Sequence, residues 1–114
     1  MNRILMIGAL LGALVFAAMP RHAEAALMDG KALLYACKQP SGTPLRSICL
    51  GYVAAIADAL AEDGGGKRKV CFAPNAKLSV MRDTVVAHLE KQTGTEDRPA
   101  SSAVTVALAN KFTC

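Results

Sequence analysis

The chain has 114 residues, with 13 Lys and Arg against 9 Asp and Glu, a formal net charge of +4. A charge that mild does not mark a nucleic-acid binder, which gathers a dense basic patch. Aromatic residues make up 4% and tryptophan is missing, so a small-molecule pocket would lack its usual walls.

The first 25 residues read as an export signal. Arg3 supplies the positive start, Ile4 to Ala18 form an apolar run, Pro20 breaks it, and Ala23-Glu24-Ala25 fits the small-x-small cleavage rule. The run of 15 residues is short against the ~20 that span a bilayer, so cleavage after Ala25 is expected rather than a membrane anchor. No cysteine follows the site to take a lipid. The expected mature domain, residues 26–114, keeps 11 basic and 8 acidic side chains and has no membrane attachment.

All four cysteines, Cys37, Cys49, Cys71 and Cys114, lie in that mature part. An even number in an exported chain reads as two disulfides, and no Cys-x-x-Cys pair supports a zinc site. A domain this small buries a modest core and is often stapled.

Four helices are expected, which makes the fold class all-α: a small four-helix, disulfide-stapled single domain. Asp29 caps the first helix, with Gly30 and Lys31 entering it, and Pro40 forbids continuation much past Lys38. Pro40-Ser41-Gly42 is a turn. Thr43-Pro44 then opens the central helix, a capping side chain followed by proline in the first turn. This helix runs to about Glu62, where Asp63-Gly64-Gly65-Gly66 ends it. On a 3.6-residue period Leu45, Ile48, Cys49, Tyr52, Val53, Ile56 and Leu60 share one face. Ser47, Gly51, Ala54 and Asp58 leave the opposite face small. Gly51 inside a helix costs about 1 kcal/mol relative to alanine, which suggests that something packs against it. Asp58 either bonds a neighbouring segment or is solvated.

Gly64 to Lys69 is a flexible basic loop. It lacks the spacing and terminal Ser/Thr of a phosphate-binding loop, and a charged loop of this kind is more often simply soluble than a docking point. After the extended link Val70 to Pro74, Asn75 is expected to cap a third helix whose stripe is Leu78, Met81, Val85 and Leu89. Gln92-Thr93-Gly94 stops it. A polar turn from Thr95 to Pro99 leads to a fourth helix, with Ala100, Ala103, Val104, Ala107, Leu108 and Phe112 at helical spacing. Val104-Thr105-Val106 has strand propensity, but the longer pattern favours helix. Four cysteines allow three pairings, and sequence alone does not choose among them. Short connections between antiparallel helices suggest Cys37 with Cys49 and Cys71 with Cys114.

No catalytic constellation emerges. His88 is the single histidine of the mature part, two disulfides would leave no thiol, and no serine elbow accompanies it. Asp29, Asp58, Glu62 and Asp63 read as caps or exposed ends. No cofactor or metal is expected, and what remains is an exported helical module that works by binding.

The order of these motifs resembles the Rap/Tai-type immunity proteins of type VI secretion systems. The matching residues are Gly30 and Leu33 before Cys37, Cys49-x-Gly51-Tyr52-Val53 with Asp58 downstream, Cys71 and Pro74, Val85-Val86 with Leu89, Ala107-Leu108, and Phe112-x-Cys114. Ala55, Ala73 and Thr113 depart from the family pattern. The resemblance implies a periplasmic protein, often a homodimer, that occludes the active-site cleft of a secreted peptidoglycan amidase. Gly51, Tyr52 and Asp58 would be structural motif residues. The surfaces offered to the partner would be the loop with Lys67, Arg68 and Lys69 and the turn with Thr95, Glu96 and Asp97. Competing readings are a periplasmic acid-stress chaperone and a structural envelope protein.

Overall fold

A computed structural model describes residues 27–63, 70–94 and 96–114. The expected signal segment and the basic loop of Lys67, Arg68 and Lys69 lie outside the described residues, as does Thr95. Four helices follow in order: α1 Gly30–Cys37, α2 Pro44–Asp63, α3 Leu78–Lys91 and α4 Ala100–Lys111. Every pair of them is in contact. Among the described residues the only β pairing is two isolated bridges, Asp29 with Pro99 and Val70 with Thr113. The domain is all-α. Val104-Thr105-Val106 is helical.

The core is assembled from one stripe per helix. Leu33, Ala36 and Cys37 of α1 meet Cys49, Val53 and Ala57 of α2. Met81, Val85 and Leu89 of α3 and Ala100, Ala103, Val104, Ala107 and Leu108 of α4 complete it. The stripes of α3 and α4 follow the spacing read from sequence, with Leu78 and Phe112 half-buried at their ends. The alanines of α4 let its axis come close to its neighbours, and Ala109 is buried with them.

Helix α1 has eight residues, too short to persist alone in water, and its ends show how the fold holds it. The first four N–H groups of a helix have no partner inside it. Here the Gly30 amide donates to the Arg98 carbonyl at 3.0 Å and the Lys31 amide to the Glu96 carbonyl at 2.9 Å. Ala32 donates to the Asp29 carboxylate at 2.7 Å, the cap expected from sequence, and Leu33 to the Asp29 carbonyl at 3.0 Å. At the other end, the Cys37 carbonyl accepts from Arg82 of α3 at 3.1 Å and from Arg46 of α2 at 3.3 Å. Arg46 also donates to the Gln39 carbonyl at 2.8 Å. Two guanidinium groups thus meet the negative end of the α1 dipole.

Both disulfides are formed, Cys37–Cys49 across the α1–α2 turn and Cys71–Cys114 across the α3–α4 hairpin. The first lies inside the core with both residues 0% exposed, whereas the second is at the surface. Around the second, the Cys71 amide donates to the Phe112 carbonyl at 2.8 Å, and the Phe72 and Phe112 rings lie 5.1 Å apart.

Two expectations are corrected. Asn75 does not cap α3. Pro74 and Asn75 form a turn closed by the Ala76 amide on the Ala73 carbonyl at 2.9 Å, so the helix starts later, at Leu78 after Lys77. The core stripe of α2 is also rotated from its expected position. It is centred on Cys49, Val53 and Ala57, leaving Leu45 39% and Ile48 48% exposed. This helix is apolar over more of its circumference than its neighbours cover, so periodicity alone does not fix which side they take.

Candidate partner-binding surfaces

The described residues singled out from sequence fall on α2 and on the turn before α4, and a third surface lies between α3 and α4. On α2, Gly51 sits two residues from Val53, which at 100° per residue puts it nearly opposite the core. It is exposed, and a Cβ added there would meet nothing within 4 Å. The expected close packing at Gly51 is therefore not made among the described residues, because the other helices lie on the Cys49–Val53–Ala57 side. Tyr52 is half-buried and packs against the core edge, and its hydroxyl bonds to no described residue. Asp58 is exposed and likewise makes no bond among the described residues.

The second place is the turn before α4. Glu96 and Asp97 have exposed side chains, while their backbone is tied down. The Glu96 and Arg98 carbonyls hold the first two amides of α1, and the Ala100 amide donates to the Met28 carbonyl at 3.0 Å. The turn thus presents two carboxylates from a braced backbone, so little ordering entropy would be lost when a partner engaged it.

The third place was not singled out as a surface from sequence. Helices α3 and α4 enclose an open trough of about 600 Å³, lined by Val80, Thr84, Ala87 and His88 on one side and Ala107 and Lys111 on the other. The Nε2 of His88 lies 2.9 Å from the Gln92 side-chain nitrogen, so the imidazole is held by the residue that ends its own helix. Small side chains at facing positions of two helices leave such a trough, and spacing within either helix does not reveal which residues will face. Among the described residues no group of three or more His, Cys, Asp or Glu is placed to hold a metal ion.

The geometry is that of a braced helical module, with two staples and three exposed faces of different character. A family model described as Rap1a immunity proteins matches residues 29–114. The chain belongs to this family of immunity proteins. The match starts at the Asp29 cap of α1 and ends at Cys114, so it spans the whole helical domain with both disulfides. No curated protein and no solved structure matches the chain.

Proposed function

We propose that this Rap1a-family protein acts in the periplasm, where it binds a type VI secreted peptidoglycan amidase and blocks its active-site cleft, protecting the producing cell. The observation that carries this reading is the family match over residues 29–114. Two completed disulfides support an oxidising compartment, and the N-terminal sequence pattern supports export to it. The domain acts as a stoichiometric plug. The braced turn with Glu96 and Asp97 is the surface we assign to the contact, since its carboxylates project from a backbone already fixed by α1. Occlusion of this kind requires rigidity more than chemistry, and the two staples provide it.

The test is a purified pair. A small amidase encoded beside this chain is mixed with it, and complex formation and peptidoglycan hydrolysis are measured together. Stoichiometric binding with loss of hydrolysis is expected, and the double change Glu96→Lys and Asp97→Lys should weaken binding at least about tenfold. A pair that neither binds nor loses hydrolytic activity would overturn the reading for that partner.

A further inference from the structure

The trough between α3 and α4 does not end at His88. A second hollow, of about 150 Å³, lies between Gln92 on one side and Arg98 and Ser102 on the other. His88 lines the first and Gln92 the second, and their side chains are 2.9 Å apart, so the two hollows form one groove. The groove follows α3 for its 14 residues, roughly 20 Å by the helical rise. Its floor is small and apolar, with Ala87 on one helix and Val106 and Ala107 on the other.

Its charge is one-sided. Lys91, Lys111 and Arg98 line it, and none of the three meets a carboxylate among the described residues. The one carboxylate among the described residues that line it, Asp83, is held by Arg82. The cations are also spread out. Cys71 before α3 is bonded to Cys114 after α4, so the two helices run antiparallel. Lys91 and Lys111, each the last residue of its helix, therefore stand toward opposite ends of the groove, with Arg98 beyond Lys91.

We propose that this groove seats an acidic segment of the amidase. Its carboxylates meet Lys91 and Arg98 at one end and Lys111 at the other, and its small apolar side chains lie over Ala87 and Ala107. The inference rests on the amidase reading and adds where, and by what chemistry, the partner is held. Arg98 follows Asp97 directly, so the groove opens beside the braced turn. A partner that reaches both must offer cations to Glu96 and Asp97 and carboxylates to the groove, a charge order that selects against partners of the wrong pattern.

Other occupants fit less well. The Lys67-Arg68-Lys69 segment of this chain has the same sign as the groove. A flat bilayer does not reach Ala107, which is 3% exposed at the floor. A small molecule would be left largely uncovered in so open a trough, whereas ligand pockets enclose most of what they bind.

Association kinetics of the purified, oxidised chain with the small amidase encoded beside it are the test. Lys91→Glu with Lys111→Glu should slow association at least about tenfold at low salt, and the gap should close as salt is raised. Ala87→Trp fills the groove from an exposed position and should raise Kd at least about tenfold. Ser41→Glu with Ser47→Glu, exposed and off the groove, should change neither. Circular dichroism should stay native in all of them. Benzoylphenylalanine in place of Ala87 should crosslink to an amidase peptide rich in Asp and Glu. An amidase that binds every variant alike overturns the groove proposal and leaves the amidase reading standing. One that does not bind the wild-type chain overturns the amidase reading and this proposal with it. A crosslink to a basic or uncharged peptide overturns the acidic assignment. If the double charge reversal instead abolishes binding to phosphatidylglycerol vesicles, or alters the chain's own sedimentation, with amidase binding unchanged, the groove belongs to a membrane or a second copy and the proposal fails.

Discussion

Removing each disulfide in turn separates two effects that rank them oppositely. In the loop-entropy account, the staple across 43 residues, Cys71–Cys114, restrains the unfolded chain by about 4 kcal/mol. The one across 12 residues, Cys37–Cys49, restrains it by about 3 kcal/mol. Burial reverses the order. Cys37 and Cys49 are both 0% exposed, so truncating them to alanine also takes two sulfur atoms from the core, at about 1 kcal/mol each. Cys71 and Cys114 are exposed and add no such term. The expected losses are therefore about 4 kcal/mol for the double change Cys71→Ala and Cys114→Ala, and about 5 kcal/mol for Cys37→Ala and Cys49→Ala. Urea unfolding followed by circular dichroism measures both. Each loss is comparable to the whole stability of a domain this size, so the titrations need a stabilising osmolyte. A cost below about 1 kcal/mol at Cys71 and Cys114 would refute the entropic reasoning. It would mean that the Cys71–Phe112 hydrogen bond, the Val70–Thr113 bridge and the paired phenylalanine rings hold the chain end unaided. A smaller cost at Cys37 and Cys49 than at the outer pair would refute the burial term.

Two further substitutions test the packing. Gly51→Ala should stabilise the protomer by about 0.5–1 kcal/mol, because the site is helical and open, and urea unfolding at low protein concentration reads it. Destabilisation would show that the glycine is required by a contact within the protomer. Arg82→Met keeps the aliphatic stem but removes the charged donor to the Cys37 carbonyl, and with it the neighbouring Asp83 pair. A loss of about 1–2 kcal/mol is expected in the same assay, and no change would mean that Arg46 alone satisfies that carbonyl.

What could be read in advance divides along the range of the interactions involved. The Asp29 cap, Pro44 in the first turn of α2 and the pairing of the cysteines all depend on residues near in sequence or on short connections, and these were legible. The rotation of α2 was not, because Leu45, Ile48 and Tyr52 are as apolar as the residues its neighbours select. The bracing of α1 was hidden for a related reason. Its amides are held by carbonyls of Glu96 and Arg98, and its last carbonyl by Arg82, 45 residues away. Nothing in the local pattern of α1 announces those partners. The start of α3 failed on a local rule instead. Asn75 is a good capping residue, but beside Pro74 it serves equally well in a turn, and the turn won.

The fingerprint Cys49-x-Gly51-Tyr52-Val53, with Asp58 downstream, is split by the fold. Cys49 and Val53 point inward and are accounted for by packing: one closes the staple, the other fills the centre of the core. Gly51 and Asp58 point outward, and the Tyr52 side chain lies at the boundary with its hydroxyl free of described partners. Packing among the described residues gives no reason for a helical glycine that costs about 1 kcal/mol, nor for the exposed carboxylate of Asp58. The fold thus accounts for the inward half of the fingerprint, while the outward half meets none of the described residues.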